Sequence, residues 1–165
     1  MMVKLFMKDK IRLLEAKIIS ELNKIEDLKD ELDGLKETLN LEKPSNFEKA
    51  AIGYSLHNFY NGCENIFKNI SQFFENNFTT NRYHRELLER MILEIEGIRP
   101  RVISDELFLI LEDFLGFRHK FRHSYSFELD WDREKLVLNK FDKAFNLLNK
   151  EINKFIKLLK AIRED

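Results

Sequence analysis

The segment 117–131, FRHKFRHSYSFELDW, holds an unusual density of side chains that bind anions or carry protons. Histidine as a residue type titrates near neutral pH, so it can take a proton from a ribose 2′-hydroxyl or return one, and this segment holds His119 and His123. A forked arginine such as Arg118 can bind a phosphate and stabilise the charge that develops on its oxygens. Together these residue types could cleave RNA without a metal ion, because the 2′-hydroxyl supplies the nucleophile.

Two other interpretations compete with phosphodiester chemistry. The basic residues could form a solvated helix end, where positive charge interacts favourably with the helix dipole. His119 and His123 also have the i, i+4 spacing of zinc-binding helices, but the acids that follow them have no recognised ligand spacing. We therefore expect neither a metal nor a cofactor.

On an α-helix, the side chains of this segment would project from different faces. Phe117 and Phe121 continue an apolar stripe, whereas His119 and His123 project nearly opposite to it. Arg118 and His123 are five residues apart, so they diverge by about 140° on a straight helix. They can meet at one phosphate only if the helix unwinds after Phe121, which the sequence that follows would allow, or if two subunits share the site. A twofold dimer would also concentrate positive charge in one cleft.

The composition favours long helices around one core. The chain has 165 residues, of which 44% are hydrophobic, and this is enough for a single domain over residues 1–165. Five glycines and two prolines are too few for a turn-rich β protein, and 15 phenylalanines suggest a core of large flat side chains. The formal net charge of −1 creates no global field for nucleic acid, so polyanion binding must be local.

The sequence also indicates the cellular compartment. The single cysteine, Cys63, excludes an intramolecular disulfide and is expected to be buried and inert. The chain contains no apolar run long enough to predict a membrane span, and its first residues lack the pattern of a signal peptide. We therefore expect a cytoplasmic protein.

A heptad pattern of isoleucine and leucine predicts a long first helix over about 8–41. This pattern would also suit a dimeric coiled coil, but a bundle helix is favoured because the other predicted helices share it. Pro44 breaks the helix, and Ser45-x-x-Glu48 is a capping box that opens the next one.

The remaining pattern predicts an all-α protein, a four- to five-helix bundle. Gly53 and Gly62 are expected to allow close helix approach on the second helix. The motif-bearing helix and its loop are expected over about 104–131. The other helices are predicted over about 46–76, 81–96 and 133–162.

Other polar and aromatic residues have more ordinary interpretations. His57 and Asn58 are interpreted as a packing and hydrogen-bonding cluster that could support the motif helix. His84 is interpreted as part of a solvated first turn. Phe127 and Trp131 are predicted to pack the loop that fixes the motif.

Arg118-x4-His123-x-Tyr125 resembles the R-x4-H-x-Y motif of HepT-like toxins, which are HEPN-domain ribonucleases of the HEPN/MNT toxin–antitoxin modules. The resemblance extends over about residues 45–160. Three segments resemble HepT-like segments in the same order: 56-LHNFYNGCENIF-67, 83-YHRELLERM-91 and 117-FRHKFRHSYSFELDW-131.

The resemblance implies a HEPN-type bundle that acts as a metal-independent endoribonuclease. It implies a homodimer whose cleft is lined by the motif, with Arg118 on phosphate and His123 in proton transfer. Tyr125 would be the residue that an MNT-type nucleotidyltransferase antitoxin adenylylates, and the added anionic nucleotide would block the cleft.

The residues around the motif have auxiliary roles under this resemblance. His119 stands where the family has a polar residue, often Asn or Asp, and is expected to be an auxiliary contact. Lys120 and Arg122 are expected to contact the RNA backbone by charge alone, although Arg122 could equally pair with an acid. The alternative function is a catalytically silent helical module that dimerises and binds a nucleotidyltransferase.

Overall fold

A computed structural model describes residues 2–75 and 83–165. The described part consists of α-helices with one short 3-10 turn, Ser126–Glu128, and it contains no β-strand. The prediction of an all-α helical bundle is confirmed. The helices are α1 (Met2–Thr38), α2 (Asn46–Phe74), α3 (Tyr83–Met91), α4 (Asp105–His123) and α5 (Trp131–Glu164).

The first helix lies earlier in the chain than the predicted range of about 8–41. It begins at Met2, because residues 2–7 contain no glycine or proline that would stop it. It ends at Thr38, because the Asn40 side chain accepts hydrogen bonds from the next backbone N–H groups, Glu42 N at 3.1 Å and Lys43 N at 3.3 Å. A local turn thereby replaces the last predicted turn of the helix.

Two serines cap the following helices. Ser45 Oγ accepts a hydrogen bond from Glu48 N at 3.2 Å, and a Glu48 carboxylate oxygen accepts one from Ser45 N at 3.0 Å, so the predicted capping box is present. Ser104 Oγ accepts a hydrogen bond from Leu107 N at the start of α4. Glu151 of α5 also binds the backbone and hydroxyl of Ser104, and this fixes the start of the motif helix against α5.

The third helix ends earlier than the predicted range of 81–96, whose residues 81 and 82 lie outside the described part of the chain. It ends at Met91, and Gly97, just beyond the predicted end, forms a tight turn with a φ of 74°. The buried Arg99 explains the difference, because its guanidinium donates to three backbone carbonyls of the 90–100 segment and to the Glu75 carboxylate at 2.8 Å. These bonds satisfy carbonyls that would otherwise require a longer helix.

The second helix is the centre of the bundle and contacts the other four helices. Phe59, on its buried face, packs edge-on against Phe114 of α4 and Phe141 of α5, with ring centroids 5.1 and 4.9 Å apart. The aromatic core expected from the phenylalanine content is therefore present. Among the described helices, none combines the length and apolar character needed to cross a membrane.

Two glycines of α2 permit its close contacts, as predicted. A Cβ atom at Gly53 would lie 2.7 Å from the Phe121 ring, and one at Gly62 would lie 2.8 Å from Ile25 of α1. A larger residue at Gly53 would force the Phe121 ring to shift. The glycine therefore allows this ring of the motif helix to pack closely on α2.

Candidate functional site

The motif lies on a helix that stays intact. α4 continues through His123, and Ser124 is its C-terminal cap, so the first of our two alternatives, unwinding after Phe121, is wrong. The physical reason is that Phe121 packs against Gly53 of α2 and holds the last turn in place. Arg118 and His123 therefore share one regular helix and project about 140° apart.

Arg118 is fixed by a neutral side chain of α2. Its Nε donates to Asn61 Oδ1 at 2.9 Å, and Asn61 Nδ2 lies 3.0 Å from His57 Nδ1. The bond uses Nε, so the N–H groups of the two terminal nitrogens of the guanidinium are not used in it and could bind a ligand. The anchor carries no charge, so it orients Arg118 without neutralising it.

His57 completes this chain of hydrogen bonds. Its pKa is lowered by burial, and further by the positive charges of Arg118 and Arg122. Because an amide nitrogen donates, His57 Nδ1 accepts from Asn61 and the neutral ring carries its proton on Nε2. The ring also packs 5.5 Å from that of Phe121. The predicted hydrogen-bonding cluster thus reaches the motif helix, through Asn61 and not Asn58.

Asn61 was not predicted from the sequence to belong to the site. Its signal was available, because Asn61 follows His57 by one helical turn and therefore lies on the same face of α2. The pattern could not show that this face meets Arg118, since that depends on how α2 and α4 pack.

His119 and His123 lie together on the exposed side of α4. Their rings are 5.0 Å apart, edge to face, and both residues are exposed. The pair is accessible to a ligand or to a second subunit. Across residues 2–75 and 83–165, no three side chains of His, Cys, Asp or Glu come together as a metal site would require.

We call residues 118–123 the cationic segment. Lys120 and Arg122 are exposed, and neither they nor Arg118 form an ion pair in the described part of the chain. The described residues contain no carboxylate that pairs with Arg122, which argues against the alternative that Arg122 pairs with an acid. By contrast, the other described arginines each form an ion pair with a carboxylate, as Arg163 does with Glu15. The cationic segment therefore holds uncompensated positive charge on a chain of net charge −1.

Tyr125 and Phe127 follow the cationic segment and face solvent. Their exposed fractions are 70% and 69%, and their rings are parallel within 3° at a centroid distance of 5.4 Å. The prediction that Phe127 packs the loop is wrong. Trp131 fills that role, because its ring is half-buried and its Nε1 donates to Leu41 O at 3.1 Å.

Two further predictions from the sequence concern His84 and Cys63, which lie outside the motif. His84, interpreted as part of a solvated turn, instead lies with Nδ1 2.8 Å from the buried Glu64 carboxylate, because α3 packs its first turn on α2. Cys63 is fully buried as predicted, and burial raises the pKa of its thiol.

A family profile described as HepT-like protein matches residues 51–159. The match covers more than half of the chain and includes Arg118, His123 and Tyr125. No curated protein and no solved structure matches the chain significantly. On the strength of the family match, the chain belongs to the HepT-like family.

Proposed function

We propose that this HepT-like protein is a metal-independent endoribonuclease toxin of a toxin–antitoxin module. The observation that carries the proposal is the cationic segment, whose charges have no acidic partner in the described residues and whose Arg118 is held by the neutral Asn61. An arginine that served only to stabilise the bundle would be expected to meet a carboxylate, as the buried Arg99 meets Glu75.

The reaction needs only groups that the substrate and this segment supply. The ribose 2′-oxygen attacks the adjacent phosphorus, a bond from that oxygen to phosphorus forms, and the bond to the 5′-oxygen breaks. His123 serves in proton transfer, since a proton must leave the 2′-hydroxyl and another must reach the departing 5′-oxygen. Arg118 binds the phosphate and stabilises the charge that builds on its oxygens in the transition state.

The proposed active form is a homodimer. One protomer presents Arg118 and His123 about 140° apart on a straight helix, so a single copy cannot close both on one phosphate. A twofold axis beside α4 would bring Arg118 of one copy to His123 of the other and would place two cationic segments in one cleft. The exposed histidine pair is available for this contact.

The proposed partner is an MNT-type nucleotidyltransferase that acts as antitoxin by adenylylating Tyr125. The Tyr125 ring is exposed, so its hydroxyl oxygen can attack the α-phosphorus of ATP while pyrophosphate leaves. The product would place a bulky anion two residues after His123, against the uncompensated charge of the cationic segment. The proposal assigns the chain to the cytoplasm, where RNA and ATP are both present.

Expression of the chain without its partner tests the function. We expect growth arrest and RNA cleavage, with both lost in Arg118→Ala and in His123→Ala. Arg12→Ala, which removes an exposed arginine of α1, is the matched control and should behave as the unaltered protein.

The possible outcomes separate the candidate functions. Unchanged cleavage in both motif variants would refute the mechanism. A chain that neither cleaves RNA nor arrests growth, yet dimerises and binds the nucleotidyltransferase, would instead be the silent helical module.

A further inference from the structure

We propose that Tyr125 and Phe127 form a platform on which a nucleobase next to the scissile phosphate stacks. The inference rests on the proposed ribonuclease function and adds a substrate class, which is RNA with unpaired bases. Phe127 is the residue it newly assigns.

The exposure of the Tyr125–Phe127 ring pair is the first observation that supports the platform. Other phenylalanine pairs lie inside the core, among them the edge-on pair of Phe59 with Phe114 and the stacked pair of Phe141 with Phe145. Tyr125 and Phe127 are stacked on each other and are about seventy per cent exposed, so much of the surface of the pair remains in water. Folding gains little from an aromatic ring left in solvent, and such a surface is the kind that a flat ligand can cover.

The backbone presents the rings in a fixed position. Glu128 N donates to Tyr125 O at 2.9 Å across the 3-10 turn. On the far side, Asp130 Oδ1 accepts from Asp132 N at 3.0 Å and caps α5. The turn is therefore held between the end of α4 and the start of α5, and the platform is part of the bundle and not of a free tail.

The neighbouring charge indicates which flat ligand suits the platform. Tyr125 follows directly on the cationic segment, separated from His123 by Ser124 alone. A nucleotide matches both features, because its phosphate can meet the cations while its neutral base covers the rings. Two of the acids that follow the rings differ in their surroundings. Asp130 caps α5 and lies 3.6 Å from Arg133, whereas Glu128, next to Phe127, is exposed.

Stacking also determines which RNA can enter. In a duplex the faces of the bases are covered by their neighbours, whereas a loop or single strand leaves them available to aromatic side chains. Every base has such a face, so the platform selects unpaired RNA with little preference for sequence.

A binding measurement tests the platform separately from cleavage. The His123→Ala protein is used so that the RNA stays whole, with a short single-stranded oligoribonucleotide that carries 2-aminopurine, a base whose fluorescence falls on stacking. We expect binding to quench the fluorescence. Adding Phe127→Ala should abolish the quenching and weaken binding about ten-fold, as expected for loss of one base–aromatic stack.

Three controls make the result specific. Phe127→Leu keeps an apolar side chain without an aromatic face and should resemble Phe127→Ala. Phe47→Ala removes another exposed phenylalanine, at the start of α2, and should change nothing. An oligomer with the same phosphates but no base at the labelled position should bind all variants equally.

The outcomes distinguish this inference from the proposed function. Full quenching and unchanged affinity in Phe127→Ala would overturn the platform while leaving ribonuclease activity intact. Base-dependent binding by a chain that never cleaves RNA would support the platform and refute the ribonuclease. Loss of nucleotidyltransferase binding alone in Phe127→Ala, or no RNA binding by any variant, would also overturn the platform.

Discussion

Arg118 of the motif helix donates its Nε hydrogen to Asn61 Oδ1 of α2 at 2.9 Å. The two residues are 57 positions apart in sequence, and the bond joins the motif to the centre of the bundle. Because Asn61 is neutral and in turn contacts His57, the arrangement orients a guanidinium without cancelling its charge. This relationship leads to the first prediction.

Asn61→Ala should lower the rate of RNA cleavage by roughly ten- to a hundred-fold, because a hydrogen bond to a charged group contributes about 1.5–3 kcal/mol and its loss frees the Arg118 side chain. Asn61→Asp should also impair cleavage, by pairing a carboxylate with Arg118. Single-turnover rates on a defined RNA measure both effects. Asn65→Ala, one turn further along α2 and exposed, is the control, and equal rates in the Asn61 and Asn65 variants would refute the positioning role.

Incubation with the nucleotidyltransferase and ATP should add AMP to the protein and abolish RNA cleavage. Intact-mass measurement should show the added nucleotide, and Tyr125→Phe should remain unmodified. Tyr54→Phe is the matched control, because Tyr54 is another exposed tyrosine, at 62%. Modification that persists in Tyr125→Phe and disappears in Tyr54→Phe would place the target elsewhere.

Glu134, in the first turn of α5, should make the protein less stable as pH rises. Its carboxyl is buried, and neither oxygen forms a hydrogen bond with a described residue. Burial raises the pKa of this carboxyl to about 8. Nearby Lys49 and the Gly53 backbone lower the pKa and offset only part of that rise. The folded chain therefore keeps a proton that the unfolded chain loses near the usual carboxyl pKa. Stability should fall by up to about 1.4 kcal/mol per pH unit between these two values and level off above the higher one.

Glu134→Gln should remove this slope, which urea unfolding at several pH values between the two pKa values would measure. His57 contributes a slope of opposite sign, because its pKa is lowered and its folded form resists protonation in acid. The unaltered protein and Glu134→Gln both contain His57, so this contribution cancels when their slopes are compared. Glu31→Gln, on the exposed face of α1, should keep the original slope, and a steep slope that survives in Glu134→Gln would contradict the assignment.

Arg99→Ala should destabilise the bundle by about 3–5 kcal/mol, because it leaves the Glu75 carboxylate and several carbonyls buried without a partner. Chemical denaturation measures the change. Arg101→Ala, which removes a more exposed arginine, should cost much less. Similar free energies of unfolding for the two variants would show that the Arg99 network contributes little.

Much of the fold followed from local signals in the sequence. The spacing of apolar residues identified the helices, and the Ser45 and Ser104 caps lie at helix starts as expected. The end of α3 was not predicted, because it depends on Arg99 reaching across to Glu75, a contact between residues 24 positions apart. Periodicity carries no information about such a bond.

The residues of the candidate site were likewise predicted only where the signal in the sequence is local. Arg118, His123 and Tyr125 were identified by type and spacing, because chemistry and helical geometry are both local. Asn61 and the exposure of Phe127 were not, since both depend on which helix faces pack together and which ring of the loop fills the core. Both rings were predicted to pack the loop, but only Trp131 is half-buried, whereas Phe127 is exposed.

The central claim is that Arg118 of one protomer and His123 of another act on the same phosphate, and co-expression of Arg118→Ala with His123→Ala tests it most directly. Each variant alone should be inactive in RNA cleavage. A mixed dimer keeps one intact site of two, and random pairing makes about half the dimers mixed, so the mixture should recover about a quarter of the original activity. Cleavage by either variant alone at the original rate, or an inactive mixture in which mass spectrometry detects mixed dimers, would contradict the account.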